Sequence, residues 1–221
     1  MTQTSLLGAA ATPRLGILLS GRGSNFLALH EAIERGKLSA RIALVVSNKS
    51  DAPGLEAARR RGLPTLARSH RGMSREDHDA DVVGALRAAN IDWVCLAGYM
   101  RILSPVFVDA FPHRIVNIHP SLLPAFPGLH AQQQAWDHGV LLAGATVHLV
   151  DHGLDSGPIV AQAAVPTSDL SSGDELAARI LVEEHRLYPA AMQRLLTEPW
   201  RIDGRRLEFE TPGARKVEPR G

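Results

Sequence analysis

Apolar positions fall along the chain in two alternating rhythms. Continuous short runs, Arg14 to Ser20, Arg41 to Ser47, Pro64 to Ala67, Asp92 to Ala97 and Arg114 to Ile118, read as strands buried on both faces. Between them the apolar residues spread to roughly helical spacing, first at Phe26, Leu29, Ile33 and Leu38, with Gly36 as a stop. A second helix is expected from Pro53 to Gly62 and a third from Ser74, as cap, to Ala89. A short helix opens at Ser104-Pro105, and another runs from Ala131 to His138 and ends at Gly139. Ala143 to Val150 and Ile159 to Val165 read as two further strands, and Gly173 to Leu196 as a long amphipathic helix that Pro189 kinks or shortens.

Such alternation predicts an α/β protein: one open, mostly parallel, twisted sheet of Rossmann-like kind with helices on both faces. In that architecture ligands bind beyond the carboxyl ends of the strands. The rule selects four loops, Ser20 to Asn25, Gly98 to Leu103, Asn117 to Gly128 and Asp151 to Gly157, where polar residues and glycines collect.

Length and composition narrow the reading. The 221 residues suit one domain over 14–210, with a disordered leader at 1–13 and a flexible tail at 211–221. A net charge of +1 gives no field that favours nucleic acid or an anionic membrane, and no apolar run approaches a membrane span. No Lys or Arg precedes the short apolar run near the start, which argues against a signal peptide. Cys95 is the single cysteine, set in an apolar run, so an intramolecular disulfide and a CxxC metal knuckle are both excluded. A cytoplasmic protein acting on small molecules, monomer or homodimer, is expected.

The first of the four loops, Ser20-Gly21-Arg22-Gly23-Ser24-Asn25, can cradle a phosphate on backbone N–H groups at a helix start, or be a tight turn with Ser24 as cap. It lacks the third glycine of a dinucleotide fingerprint and the Gly-Lys-Ser/Thr of a Walker loop, so a phosphomonoester suits it best. In Asn117-Ile118-His119 the amide and the imidazole share one side of a strand. Together they can hold a carbonyl oxygen that gains negative charge. A carboxylate is wanted beside the imidazole, and spacing leaves Asp151 and Asp155 equally placed, either being also a common turn former. Zinc on His119, His130 and His148 is disfavoured by the lack of any HxH or HExxH pair, and no GxSxG elbow suggests an acyl-enzyme. Direct transfer of an acyl-type carbon through a tetrahedral intermediate fits the set.

Four stretches carry a resemblance over nearly all of Arg14 to Leu207: SGRGSN (20–25), LAGYMRILS (96–104), NIHPSLLP (117–124) and LDSGP (154–158). Together they resemble the phosphoribosylglycinamide formyltransferases, folate-dependent enzymes of purine biosynthesis. The resemblance implies 10-formyltetrahydrofolate as co-substrate, with no metal. It implies Asn117, His119 and Asp155 as the catalytic trio, thereby choosing between the two aspartates. Gly23, Ser24 and Asn25 match residues binding the substrate phosphate, and Glu184 one binding the sugar hydroxyls. Arg75, Met100, Arg101, Ile102, Leu103, Asn117 and the backbone from Asp151 to Asp155 match folate contacts. Taken alone, Met100, Ile102 and Leu103 read as core, Glu184 as a solvated helix residue and Arg75 as a surface charge. Formyltetrahydrofolate hydrolases share the trio but carry an added N-terminal regulatory domain, and tRNA-directed formyltransferases an added C-terminal one; neither is expected here. A non-catalytic phosphosugar-binding module and a nicotinamide oxidoreductase are the readings from other classes.

Overall fold

A computed structural model describes residues 11–210, so residues 1–10 of the expected leader and the whole expected tail lie outside the described residues. Strands β1 (Arg14–Leu19), β2 (Arg41–Ser47), β3 (Thr65–Ala67), β4 (Trp93–Leu96) and β5 (Ile115–His119) are linked through helices α1 (Ser24–Glu34), α2 (Pro53–Arg60), α3 (Arg75–Ala88) and α4 (Pro105–Ala110). Helix α5 (Ala131–Asp137) follows, then β6 (Leu142–Leu149), β7 (Ile159–Pro166), α6 (Gly173–Thr197), β8 (Trp200–Asp203) and β9 (Arg206–Phe209). The nine strands of the described residues form one sheet in the order β3-β2-β1-β4-β5-β6-β7-β9-β8. The first five pair in parallel; β6 runs antiparallel to both β5 and β7.

The apolar runs are continuous because both faces of the sheet are covered. On β1, Leu15, Ile17 and Leu19 pack with Phe26 and Leu29 of α1, Leu55 of α2 and Ile180 and Tyr188 of α6. Leu18 points the other way, into a cluster with Val82 and Leu86 of α3 and Phe107 of α4. Ser74 caps α3 as expected, its hydroxyl accepting from the Asp77 amide at 3.0 Å.

Pro189 does not shorten α6, which runs unbroken to Thr197. Tyr188, Pro189, Ala191 and Met192 are all buried, and this packing carries the helix across the missing N–H. The Tyr188 hydroxyl lies 2.9 Å from Val116 O and 3.1 Å from Leu96 O, tying β4 to β5 just ahead of Asn117. The β8–β9 hairpin was not expected from the apolar pattern. Its strands have four residues each, and the two residues between them are Gly204-Arg205, with Gly204 at φ 58° in the first position of a tight hairpin turn. No helix among the described residues is long and apolar enough to cross a membrane.

Candidate active site

The sheet order reverses between β1 and β4, the position where open α/β sheets leave a crevice. Three of the four expected loops open from the carboxyl ends of β1, β4 and β5. The fourth arrives by another route. Because β6 is antiparallel to β5, Val150 sits beside Ile115, at the amino end of β5, where its N–H donates to Ile115 O at 2.9 Å. From there residues 151–157 fold back, and the Gly128 N–H donates to Asp155 Oδ2 at 2.8 Å. Asp155 takes a left-handed backbone, φ 48°, as do Phe126 and His130 in the facing loop. Such conformations are strained for residues with a Cβ and collect where geometry matters more than comfort.

Alternation on β5 puts Val116 and Ile118 into the core shared with α6, and Asn117 and His119 on the opposite face. Cross-strand pairing then sets His148 opposite Asn117 and Thr146 opposite His119. The His119 ring is 5% exposed. Its Nε2 donates to Phe126 O at 2.8 Å, so its Nδ1 is the nitrogen facing Asp155 Oδ2, at 3.5 Å. Both ring nitrogens therefore face acceptors. Asp155 Oδ1 is 3.6 Å from His148 Nε2, and Asn117 Nδ2 is 3.1 Å from the same nitrogen. Burial alone would raise the Asp155 carboxyl. The Gly128 amide and the His148 and His119 rings close to it outweigh this and hold the group below the ordinary carboxylate value.

Asp151 does something different. Its Oδ1 accepts from the Gly153 amide at 3.0 Å and the Ser156 hydroxyl at 2.8 Å, so it shapes the turn that delivers Asp155. Spacing left these two aspartates equivalent; their hydrogen bonds separate them. His148 entered the sequence reading only as a disfavoured zinc ligand, yet it touches both Asn117 and Asp155. Thr146-x-His148 repeats on β6 the polar alternation of Asn117-x-His119, and that echo was the legible signal. Among the described residues no group of three or more His, Cys, Asp or Glu is arranged to hold a metal ion.

The loop 120–127 is held from below. Thr146 Oγ1, fully buried, donates to Ser121 O at 2.7 Å and accepts from the Leu123 N–H at 3.0 Å and Gln162 Nε2 at 2.9 Å. Gln162 Nε2 also lies 2.9 Å from Leu123 O, and the Ser121 hydroxyl donates to Ala125 O at 2.6 Å. Phe126 O is thus offered to His119 by a loop whose backbone is already bonded.

In the glycine loop, Gly23 rather than Ser24 occupies the N-cap of α1, at φ 75°, and no side chain caps the helix. The first-turn amides are left free of a side-chain acceptor, as an anion site requires. A Cβ on Gly23 would lie 2.8 Å from Gly54 Cα, so two backbones touch where a side chain would not fit. Asn25 Nδ2 donates to Glu184 Oε2 at 2.6 Å, joining this loop to α6. Glu184 is buried, not solvated; burial pushes its carboxyl up and the Asn25 bond only partly opposes this. A carboxyl raised on folding contributes stability that is present below its unfolded value, 4.5, and lost as pH rises through the folded one. Glu184→Gln keeps an acceptor for Asn25 and abolishes that loss. Its melting temperature should equal or exceed that of the parent at pH 7, the advantage vanishing near pH 4, as thermal melts across this range will read.

Met100 and Ile102 are 62% and 61% exposed, so the core reading of these two fails; they project apolar surface from the crevice rim. Leu103 packs partly against the α3–α4 cluster, and Arg101 Nε is buried. Arg75 stands apart at the first turn of α3, half exposed, with its guanidinium 3.5 Å from Glu76. Cys95 is buried against Met192, and burial raises its thiol to about 12, which removes it as a nucleophile.

An amide, an imidazole and a carboxylate thus meet at a crevice of a Rossmann-like sheet, between the glycine loop and an apolar rim. Comparison with known proteins gives the family. The chain belongs to the formyl transferase family, whose sequence profile matches residues 14–192. Phosphoribosylglycinamide formyltransferase of Escherichia coli (strain K12) is 42% identical over 190 residues, covering 86% of this chain and 87% of that one. A trifunctional purine biosynthetic protein adenosine-3 of Drosophila melanogaster is 43% identical over 199 residues; the chain spans only 15% of its length. The crystal structure of glycinamide ribonucleotide transformylase 1 from Symbiobacterium toebii superposes with a TM-score of 0.87 at 47% identity, covering 90% of this chain and 94% of that one.

Proposed function

We propose that the protein transfers a formyl group from 10-formyltetrahydrofolate to the amine of 5-phosphoribosylglycinamide, a step of purine biosynthesis, within the domain 14–210. The observation that carries this reading is the position of Asp155 against the buried His119, with Asn117 one pleat away on the same face. The names of the relatives supply the acceptor and the group transferred.

The amine nitrogen attacks the formyl carbon, and the carbonyl oxygen becomes an oxyanion. Asn117 donates its amide N–H to that oxygen and His119, as imidazolium, adds charge. A donor such as Asn117, placed beforehand, contributes about 3 kcal/mol to the transition state. Asp155 keeps its charge through its low carboxyl value, supports the imidazolium and takes the amine proton through a water. Collapse breaks the bond from carbon to N10 of the folate, which receives a proton, and N-formyl product leaves. The anion site at Gly23, Ser24 and Asn25 holds the acceptor phosphate, and Glu184 its ribose hydroxyls. Arg75 and Met100 to Leu103 meet the donor, with the backbone of 151–155 facing the pterin.

An absorbance assay of folate deformylation, run with and without glycinamide ribonucleotide, tests the reading. Deformylation only with the acceptor present is expected. An equal rate without it would make the protein a hydrolase, and no deformylation in either case would leave a binding module.

A further inference from the structure

The geometry points to Asp79 as a positioning residue for the one-carbon donor, acting through the backbone of residues 100–104. The inference rests on the assignment of that segment to the donor. His78 and Asp79 are adjacent in α3, and both are fully buried. Asp79 Oδ2 accepts from the Ser104 N–H at 2.6 Å, while its Oδ1 lies 3.3 Å from His78 Nδ1. His78 Nε2 donates in turn to Arg68 O at 3.0 Å. A chain of bonds therefore runs from the loop ahead of α3, through the helix, to the end of the segment that carries Met100 and Ile102.

The other end of the segment is held in the same manner. The Met100 N–H donates to Ser20 Oγ at 2.9 Å, and Ser20 Oγ donates to Asn48 Oδ1 at 2.6 Å, with Ser20 and Asn48 both buried. The segment's own polar groups do not hold it. Ser104 Oγ, Arg101 Nε and Tyr99 OH are buried without a hydrogen-bond partner among the described residues, and Ser104 caps α4 with no side-chain bond. Taking a carboxylate out of water is costly, and an apolar contact under α4 would serve stability as well or better. What an apolar contact cannot do is fix one N–H in direction. The two exposed apolar side chains between the anchors are useful to a flat aromatic ligand only if their backbone is fixed before it arrives.

Steady-state kinetics on Asp79→Ala and Asp79→Asn, with donor and acceptor varied in turn, test this role. Loss of the charged acceptor is expected to raise the donor KM about tenfold or more while the acceptor KM stays within about twofold. Asparagine still offers Ser104 an oxygen and should bring the donor KM back to within about threefold of the parent. An equal rise for both substrates, or an unchanged donor KM in a folded Asp79→Ala protein, overturns the role. Should Asp79→Ala fail to fold, Ser20→Ala at the other anchor decides by the same donor-selective signature. Absence of formyl transfer in the parent protein would overturn the function itself, before any variant is compared.

Discussion

Replacement of His119 by alanine is expected to lower kcat by roughly a hundredfold to ten-thousandfold, the span measured for groups that supply charge or a proton in a transition state. Acceptor binding, read by calorimetry, should stay near that of the parent, because the glycine loop and Glu184 share no hydrogen bond with the His119 ring. The loss has two sources. The oxyanion loses a cationic neighbour, and Asp155 loses the group that faces its Oδ2. Since these act as a unit, the double variant His119→Ala/Asp155→Asn should be little worse than either single one. Parental turnover in His119→Ala would remove the ring from the mechanism.

Asp155→Asn should cost turnover on a similar scale, and it carries a second signature in acid. The carboxyl of Asp155 is held below its ordinary value of 3.8. A carboxyl lowered on folding contributes stability that is present above the unfolded value and lost as pH falls through the folded one. The difference in melting temperature between parent and Asp155→Asn should therefore be largest near neutrality and shrink below about pH 3.8. Asparagine can still accept from Gly128, so the residues 126–128 should keep their place. A gap in melting temperature that is flat from pH 7 to pH 3 would mean that the charge of Asp155 does not stabilise the fold.

Most of the scaffold could be read from the chain because its strands are covered on both faces. Leu15 to Leu19 and Trp93 to Leu96 have no polar position to confuse the pattern. Where the pattern failed, the cause was long-range. Pro189 is itself buried in a helix between buried Tyr188 and buried Ala191 and Met192, and local propensity had no way to weigh that packing. The β8–β9 hairpin is short and half exposed, so its apolar signal is weak and only the turn glycine, Gly204, marks it. In the site, Asn117 and His119 were legible because alternation within one strand is a local rule. The choice of Asp155 over Asp151 was not, because it depends on a loop returning from the far end of β5. The partnership of His148 with Asn117 needed the antiparallel register, which no single strand encodes. Glu184 looked like solvated surface because its neighbours Glu183 and Arg186 are; only the contact with Asn25, distant in sequence, makes it interior.

Thr146 sets a limit on how this chain can vary. A residue at 146 must donate one hydrogen bond and accept two at a fully buried position. Valine matches the shape and offers none of these bonds; asparagine offers them from too long a stem. A hydroxyl one bond from Cβ is the group that meets the count. The chemical alphabet at this buried position therefore reduces to threonine and serine, as narrow as that of a residue that touches substrate.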